Sequence, residues 1–129
     1  MKPELMLLLW AVALAVVQML IAVSAATLQV GLPMLAGNRE NMPVLTGWTG
    51  RANRAHHNMI ENLVLFAALV LICAVTGKTN QTTLLGAQIF FWARVAYAAI
   101  YLAGIPWLRT GAWLVSIVGL LLIFLQLLS

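Results

Sequence analysis

A chain of 129 residues that is 64% hydrophobic and 8% charged, with a mean hydropathy of +1.01, carries too little charge for a soluble domain. Its net charge of +4, from seven basic residues against three acidic ones, forms no dense basic patch, so no nucleic-acid partner is expected. The single cysteine, Cys73, lies among Leu71, Ile72, Ala74 and Val75; it can close no intramolecular disulfide, has no metal partner at ligand spacing, and reads as a buried structural thiol.

Four apolar segments predict an all-α integral membrane protein, a single four-transmembrane-helix domain over residues 1–129. The helices are expected at about 5–30, 51–76, 82–103 and 107–128. The first run, from Leu5, is interrupted only by Gln18, Ser24, Thr27 and Gln29, and exceeds the roughly 20 residues a bilayer core needs. Lys2 and the small residues Ala22-Val23-Ser24-Ala25-Ala26 also fit a cleaved leader, but the expectation is a retained helix.

Pro33 is expected to end this helix. A polar link with Gly37, Asn38, Arg39, Glu40, Asn41, Pro43 and Gly47 then runs to Gly50. The second helix opens with three polar turns from Arg51, and Gly77-Lys78-Thr79-Asn80-Gln81 turns the chain back. The third helix carries Arg94 deep in an apolar setting, Gly104-Ile105-Pro106 breaks it, and the fourth has Arg109 near its start.

Arg39, Arg51, Arg54 and Arg109 lie near one end of these helices, against Lys2 and Lys78 near the other. That bias puts the first and third links in the cytoplasm and both termini on the far side.

The second helix's opening holds the densest chemistry. At about 100° per residue, Arg54, His57, Asn58 and Glu61 share one face. Glu61 lies about 15 Å along the axis from Arg51, and Arg94 about 14 Å before the end of the third helix. Similar depths allow a buried Glu61–Arg94 pair, serving either the scaffold or a site. Arg94, Tyr97 and Tyr101 form a matching face on the third helix. With Arg54, Asn58 and Arg109 they would form a cationic pocket at the cytoplasmic mouth. Guanidinium forks suit carboxylates, the Asn58 amide suits a peptide group, and an arginine or tyrosine beside a thiol favours thiolate. The implied ligand is small, anionic and peptide-like.

His56 and His57 are adjacent on a helix and cannot bind one metal in the i, i+4 manner, so no metal site is expected. His57 reads as a ligand or rim contact and His56 as a helix or subunit contact. Trp48, Trp107 and Trp113 are expected near the headgroup belt.

The stretch Arg54-Ala55-His56-His57-Asn58-Met59-Ile60-Glu61-Asn62 resembles the second-helix signature of the MAPEG family, the membrane-associated proteins in eicosanoid and glutathione metabolism. Arg94-Val95-Ala96-Tyr97, Tyr101-Leu102 and Pro106-Trp107-Leu108-Arg109-Thr110 resemble the signature of its third and fourth helices. The resemblance is to a bacterial-type member similar to microsomal glutathione transferases, and it covers nearly the whole chain. It implies a homotrimer, in a bacterial inner membrane, with glutathione as cosubstrate bound between neighbouring subunits. By position, Arg54, Asn58 and Glu61 of one subunit should meet Arg94, Tyr97, Tyr101 and Arg109 across the boundary, with His57 and Thr110 also at the ligand. Arg109 would be the thiol-activating arginine and Tyr101 a ligand contact close to it. His57 stands where some members have a second glutathione-binding arginine, Tyr97 where some have histidine, and Trp113 where some have tyrosine. These departures fit a general family member better than a specialised eicosanoid synthase.

The leading expectation is therefore a glutathione transferase or peroxidase acting on lipophilic electrophiles. The alternative is a non-catalytic scaffold or regulator that binds glutathione without turnover. A transporter is disfavoured, because there is no inverted repeat and no pair of broken helices.

Overall fold

Proline and glycine set the limits of the helices. In the computed structural model, which describes residues 1–129, Pro3 opens α1 (Pro3–Val30), where a missing N–H is harmless. Gly31, at φ 89°, ends it. Pro33 therefore does not terminate the first helix as expected. It lies in the first turn of a short helix absent from the sequence reading, α2 (Leu32–Ala36).

The next helix, α3 (Gly47–Thr76), starts earlier than Arg51, so the link shrinks to residues 37–46. A side chain from α1 explains the early start. Gln29 Oε1 accepts from the Thr46 backbone N–H at 3.0 Å, and Gln29 Nε2 donates to the Thr46 carbonyl at 3.3 Å. Thr46 is held extended at the N-cap, and the helix begins directly after it.

Gly77, left-handed at φ 72°, stops α3. Asn80 and Thr83 then form a reciprocal capping box at the start of α4 (Gln81–Ala103): Thr83 N–H donates to Asn80 Oδ1 at 3.0 Å, and Asn80 N–H donates to Thr83 Oγ1 at 2.8 Å. Gly104, left-handed at φ 79°, ends α4, and Pro106 opens α5 (Pro106–Leu128).

The four long helices α1, α3, α4 and α5 are each long and apolar enough to cross a membrane, and the chain is an integral multi-pass membrane protein. Successive spans run in opposite directions. The starts of α3 and α5, the end of α4 and the link 37–46 gather at one end, here the link end; both termini lie at the other.

Hydrocarbon chains are as apolar as leucine, so packing and hydrogen bonds hold such a bundle together. Met59, Phe66, Val70 and Cys73 of α3 meet Ala11 and Ala15 of α1, Ala87 and Phe90 of α4, and Leu120 and Ile123 of α5. Phe66 and Phe90 stack with ring centroids 4.2 Å apart. Cys73 is buried and free, as expected. The tightest approach is between α4 and α5. A Cβ on Gly86 would lie 2.6 Å from the Gly119 carbonyl oxygen, and one on Gly119 would lie 2.5 Å from that of Gly86. Only glycine fits at either position.

Candidate functional site

At the link end, three helices bring polar side chains together. Pro106 and the left-handed Gly104 fold α5 back on α4, so Arg109 and Thr110 stand beside the last turns of α4. Tyr97 and Tyr101 of α4 are both buried, their rings edge-on at 5.5 Å, packed against Ala55 of α3 and backed by Trp113 of α5.

Tyr101 is the centre of this group. Its hydroxyl oxygen accepts from Arg54 Nε at 3.1 Å, and the Arg109 guanidinium carbon lies 4.5 Å from its ring centroid. With the oxygen accepting from Arg54, the hydroxyl's own proton is free for a ligand. Asn58, Tyr97, Arg109, Thr110 and Trp113 line a groove of about 110 Å³ beside it.

Five of the residues singled out in the sequence therefore line or touch one place: Asn58, Tyr97, Tyr101, Arg109 and Thr110, with Arg54 anchored to Tyr101 at the edge. These come from α3, α4 and α5 of a single subunit. The resemblance placed Arg54 and Tyr101 across a subunit boundary from each other; within the chain the two are already bonded. Trp113 is half-buried in the groove wall, whereas Trp48 and Trp107 are exposed near the link end.

Glu61 and Arg94 do not pair within the chain. Arg94 is 1% exposed, and none of its three guanidinium nitrogens has a hydrogen-bond partner; its only neighbour of note is the Tyr97 ring, 4.1 Å away. Glu61 is exposed. Axial depth matched but rotation did not. The buried stripe of α3 runs through Ala52, Ala55, Met59, Asn62 and Phe66, and Glu61 is turned about 100° from Asn62.

His57 likewise leaves the groove. It lines a separate cavity of about 340 Å³ with Arg39, Asn53 and His56, walled by Ala22 and Ala26 of α1. His56 is half-buried there.

One site residue was missed in the sequence. Asn62, buried, donates from Nδ2 to the Asn58 carbonyl at 2.8 Å and to Asn58 Oδ1 at 3.2 Å. Its partner's amide oxygen thereby accepts one bond, which leaves the Asn58 NH₂ free to donate. The i, i+4 asparagine spacing was the available signal.

The profile of the MAPEG family matches residues 7–129, nearly the entire chain. The chain belongs to the MAPEG family. It is also 36% identical over 56 residues to microsomal glutathione S-transferase 1 of Rattus norvegicus, and to the same extent to that of Mus musculus. That stretch is 43% of this chain and 36% of each relative, so the chain spans about a third of the length of the curated relatives it matches. No solved structure matches it.

In this MAPEG protein the site residues offer two guanidinium groups, an oriented amide and a tyrosine hydroxyl. No carboxylate lines the groove. Such a set attracts an anion and stabilises charge developing on sulfur or oxygen.

Proposed function

We propose that this MAPEG protein is an integral membrane glutathione-dependent transferase or peroxidase acting on lipophilic electrophiles. The observation that carries the reading is the Arg54–Tyr101–Arg109 array beside the groove. Kinship to a family with glutathione-transferring relatives supports it.

The residues fit the thiol substrate. Arg54 would take a carboxylate of glutathione, and the Asn58 amide a peptide carbonyl. Arg109 would hold the sulfur as thiolate: a free thiol titrates near 8.5, and an adjacent guanidinium favours the charged form at neutral pH. The Tyr101 hydroxyl would donate to the same sulfur. The thiolate attacks the electrophilic carbon, a C–S bond forms, and the leaving group departs with its electron pair. With a hydroperoxide the thiolate attacks the terminal oxygen, the O–O bond breaks and the alkoxide leaves as the alcohol on taking up a proton. The resulting sulfenic acid condenses with a second glutathione to give the disulfide and water.

A groove of about 110 Å³ is small beside the roughly 300–1,000 Å³ of ligand clefts. The reading therefore includes a homotrimer whose neighbouring subunit supplies a further wall, with Thr110 at the ligand and the exposed Glu61 turned toward the neighbouring copy. Glutathione would arrive from the cytoplasm at the link end and the cosubstrate from the bilayer, with both termini on the far side of a bacterial inner membrane.

Detergent-purified protein, given glutathione with chlorodinitrobenzene and separately with cumene hydroperoxide, tests the reading. Turnover of either supports it and assigns transferase or peroxidase. Glutathione binding by calorimetry with no turnover of any electrophile supports the scaffold alternative instead.

A further inference from the structure

The bend between α4 and α5 decides where Arg109 stands, yet it is poorly equipped to hold itself. In a continuing helix the Leu102 carbonyl would accept from the N–H four residues on. That residue is Pro106, which has none. Gly104 donates back to Ile100 and Tyr101, and Ile105 to Ile100, so none of these turn bonds serves Leu102.

The donor comes from another helix. Arg51 of α3, half-buried, donates from Nε to the Leu102 carbonyl at 3.2 Å. Its side chain also lies flat against Gly104: a Cβ there would meet Arg51 Nε at 3.4 Å and Cδ and Cζ at 3.6 Å. A cation at the C-terminal end of α4 is favoured by the helix dipole as well. One turn later on α3, Arg54 grips Tyr101. Two arginines at i and i+3 thus tie α3 to consecutive residues, Tyr101 and Leu102, at the end of α4.

We propose that Arg51 is a positioning residue for the site: it clamps the α4–α5 bend and so fixes Arg109 over Tyr101, without itself lining the groove. Arg51 is absent from the groove wall, so its effect runs through Arg109. The proposal rests on the thiolate role of Arg109 for its kinetic consequence, and on packing alone for its structural one.

The test compares Arg51→Met, Arg51→Lys and Gly104→Ala in the assembled, detergent-purified protein. Two readouts are used: amide hydrogen exchange over residues 102–109, and the ultraviolet absorbance of bound glutathione thiolate alongside kcat and KM. Arg51→Met is expected to speed exchange in that segment and to lower the thiolate signal and kcat about tenfold, since small misplacements of a catalytic group cost that much or more. KM for the electrophile should be unchanged. Arg51→Lys, which still presents a donor to Leu102, is expected to recover part of the loss. Gly104→Ala, strained at φ 79° and crowding the guanidinium, should shift both readouts in the direction of Arg51→Met.

If Arg51→Met misassembles, the lysine and alanine variants carry the same two readouts. Wild-type exchange over 102–109 in the variants overturns the clamp. Faster exchange with an unchanged thiolate signal and kcat overturns its role in placing Arg109. A wild-type protein that forms no thiolate overturns the functional reading instead, and the exchange data then judge the clamp separately.

Discussion

The Nε–H of Arg54 donates to the Tyr101 hydroxyl oxygen at 3.1 Å, tying the start of α3 to the end of α4. The bond consumes an acceptor site on Tyr101 and leaves its O–H free, in a residue 8% exposed beside Arg109. A tyrosine so held can donate to a thiolate with little reorganisation.

Tyr101→Phe keeps the ring under Arg109 and removes only the hydroxyl. Loss of one preorganised donor typically lowers kcat by about 10²–10³. The expected outcome is a fall in kcat of at least about tenfold with the protein still assembled, measured by conjugation kinetics at saturating glutathione. Unchanged kcat would reduce Tyr101 to a structural platform.

The buried Arg94 leads to a prediction about stability. It is 1% exposed, and no guanidinium nitrogen has a hydrogen-bond partner. Burying an unpaired charge is costly, and replacing buried ionic groups with apolar side chains of similar volume is often neutral or stabilising by about 1–4 kcal/mol. Arg94→Met should therefore leave thermal unfolding in detergent unchanged or raise its midpoint. A marked fall in that midpoint would mean that the guanidinium makes a stabilising contact.

The α4–α5 contact predicts a contrast between two glycines on the same helix. A methyl on Gly119 meets the Gly86 carbonyl at 2.5 Å and the Phe90 nitrogen at 2.8 Å, whereas one on Gly111 meets nothing within 4 Å. Gly119→Ala should destabilise by about 1–3 kcal/mol as the helices are forced apart. Gly111→Ala should be neutral or stabilising, by up to about 1 kcal/mol from lost unfolded-state freedom. Thermal unfolding in detergent separates the two.

The spans were readable from residue order, because a bilayer demands long apolar segments and makes any charge within them conspicuous. Periodicity placed Arg94, Tyr97 and Tyr101 on one face, and the structure keeps Tyr97 and Tyr101 together in one cluster. What periodicity on single helices could not supply was the rotation of one helix against another. Glu61 and Arg94 match in depth yet do not meet, and His57 turns toward α1 although it is one turn from Arg54. The early start of α3 depends on Gln29, a residue 17 positions before Thr46, so no local signal announces it. Asn62 and Arg51 were hidden for a different reason. Each acts on a neighbour's backbone or amide, and a sequence does not show which carbonyls lack a donor.

Arg109 decides the central claim. Its guanidinium lies 4.5 Å from the Tyr101 ring and lines the groove, where it would hold the glutathione sulfur as thiolate. The direct measurement is glutathione thiolate absorbance and chlorodinitrobenzene or cumene hydroperoxide turnover in Arg109→Ala, beside native mass spectrometry of the same preparation. The predicted result is an intact oligomer in which the thiolate signal disappears and turnover falls at least about a hundredfold. An assembled Arg109→Ala protein with wild-type thiolate and wild-type turnover would contradict the account.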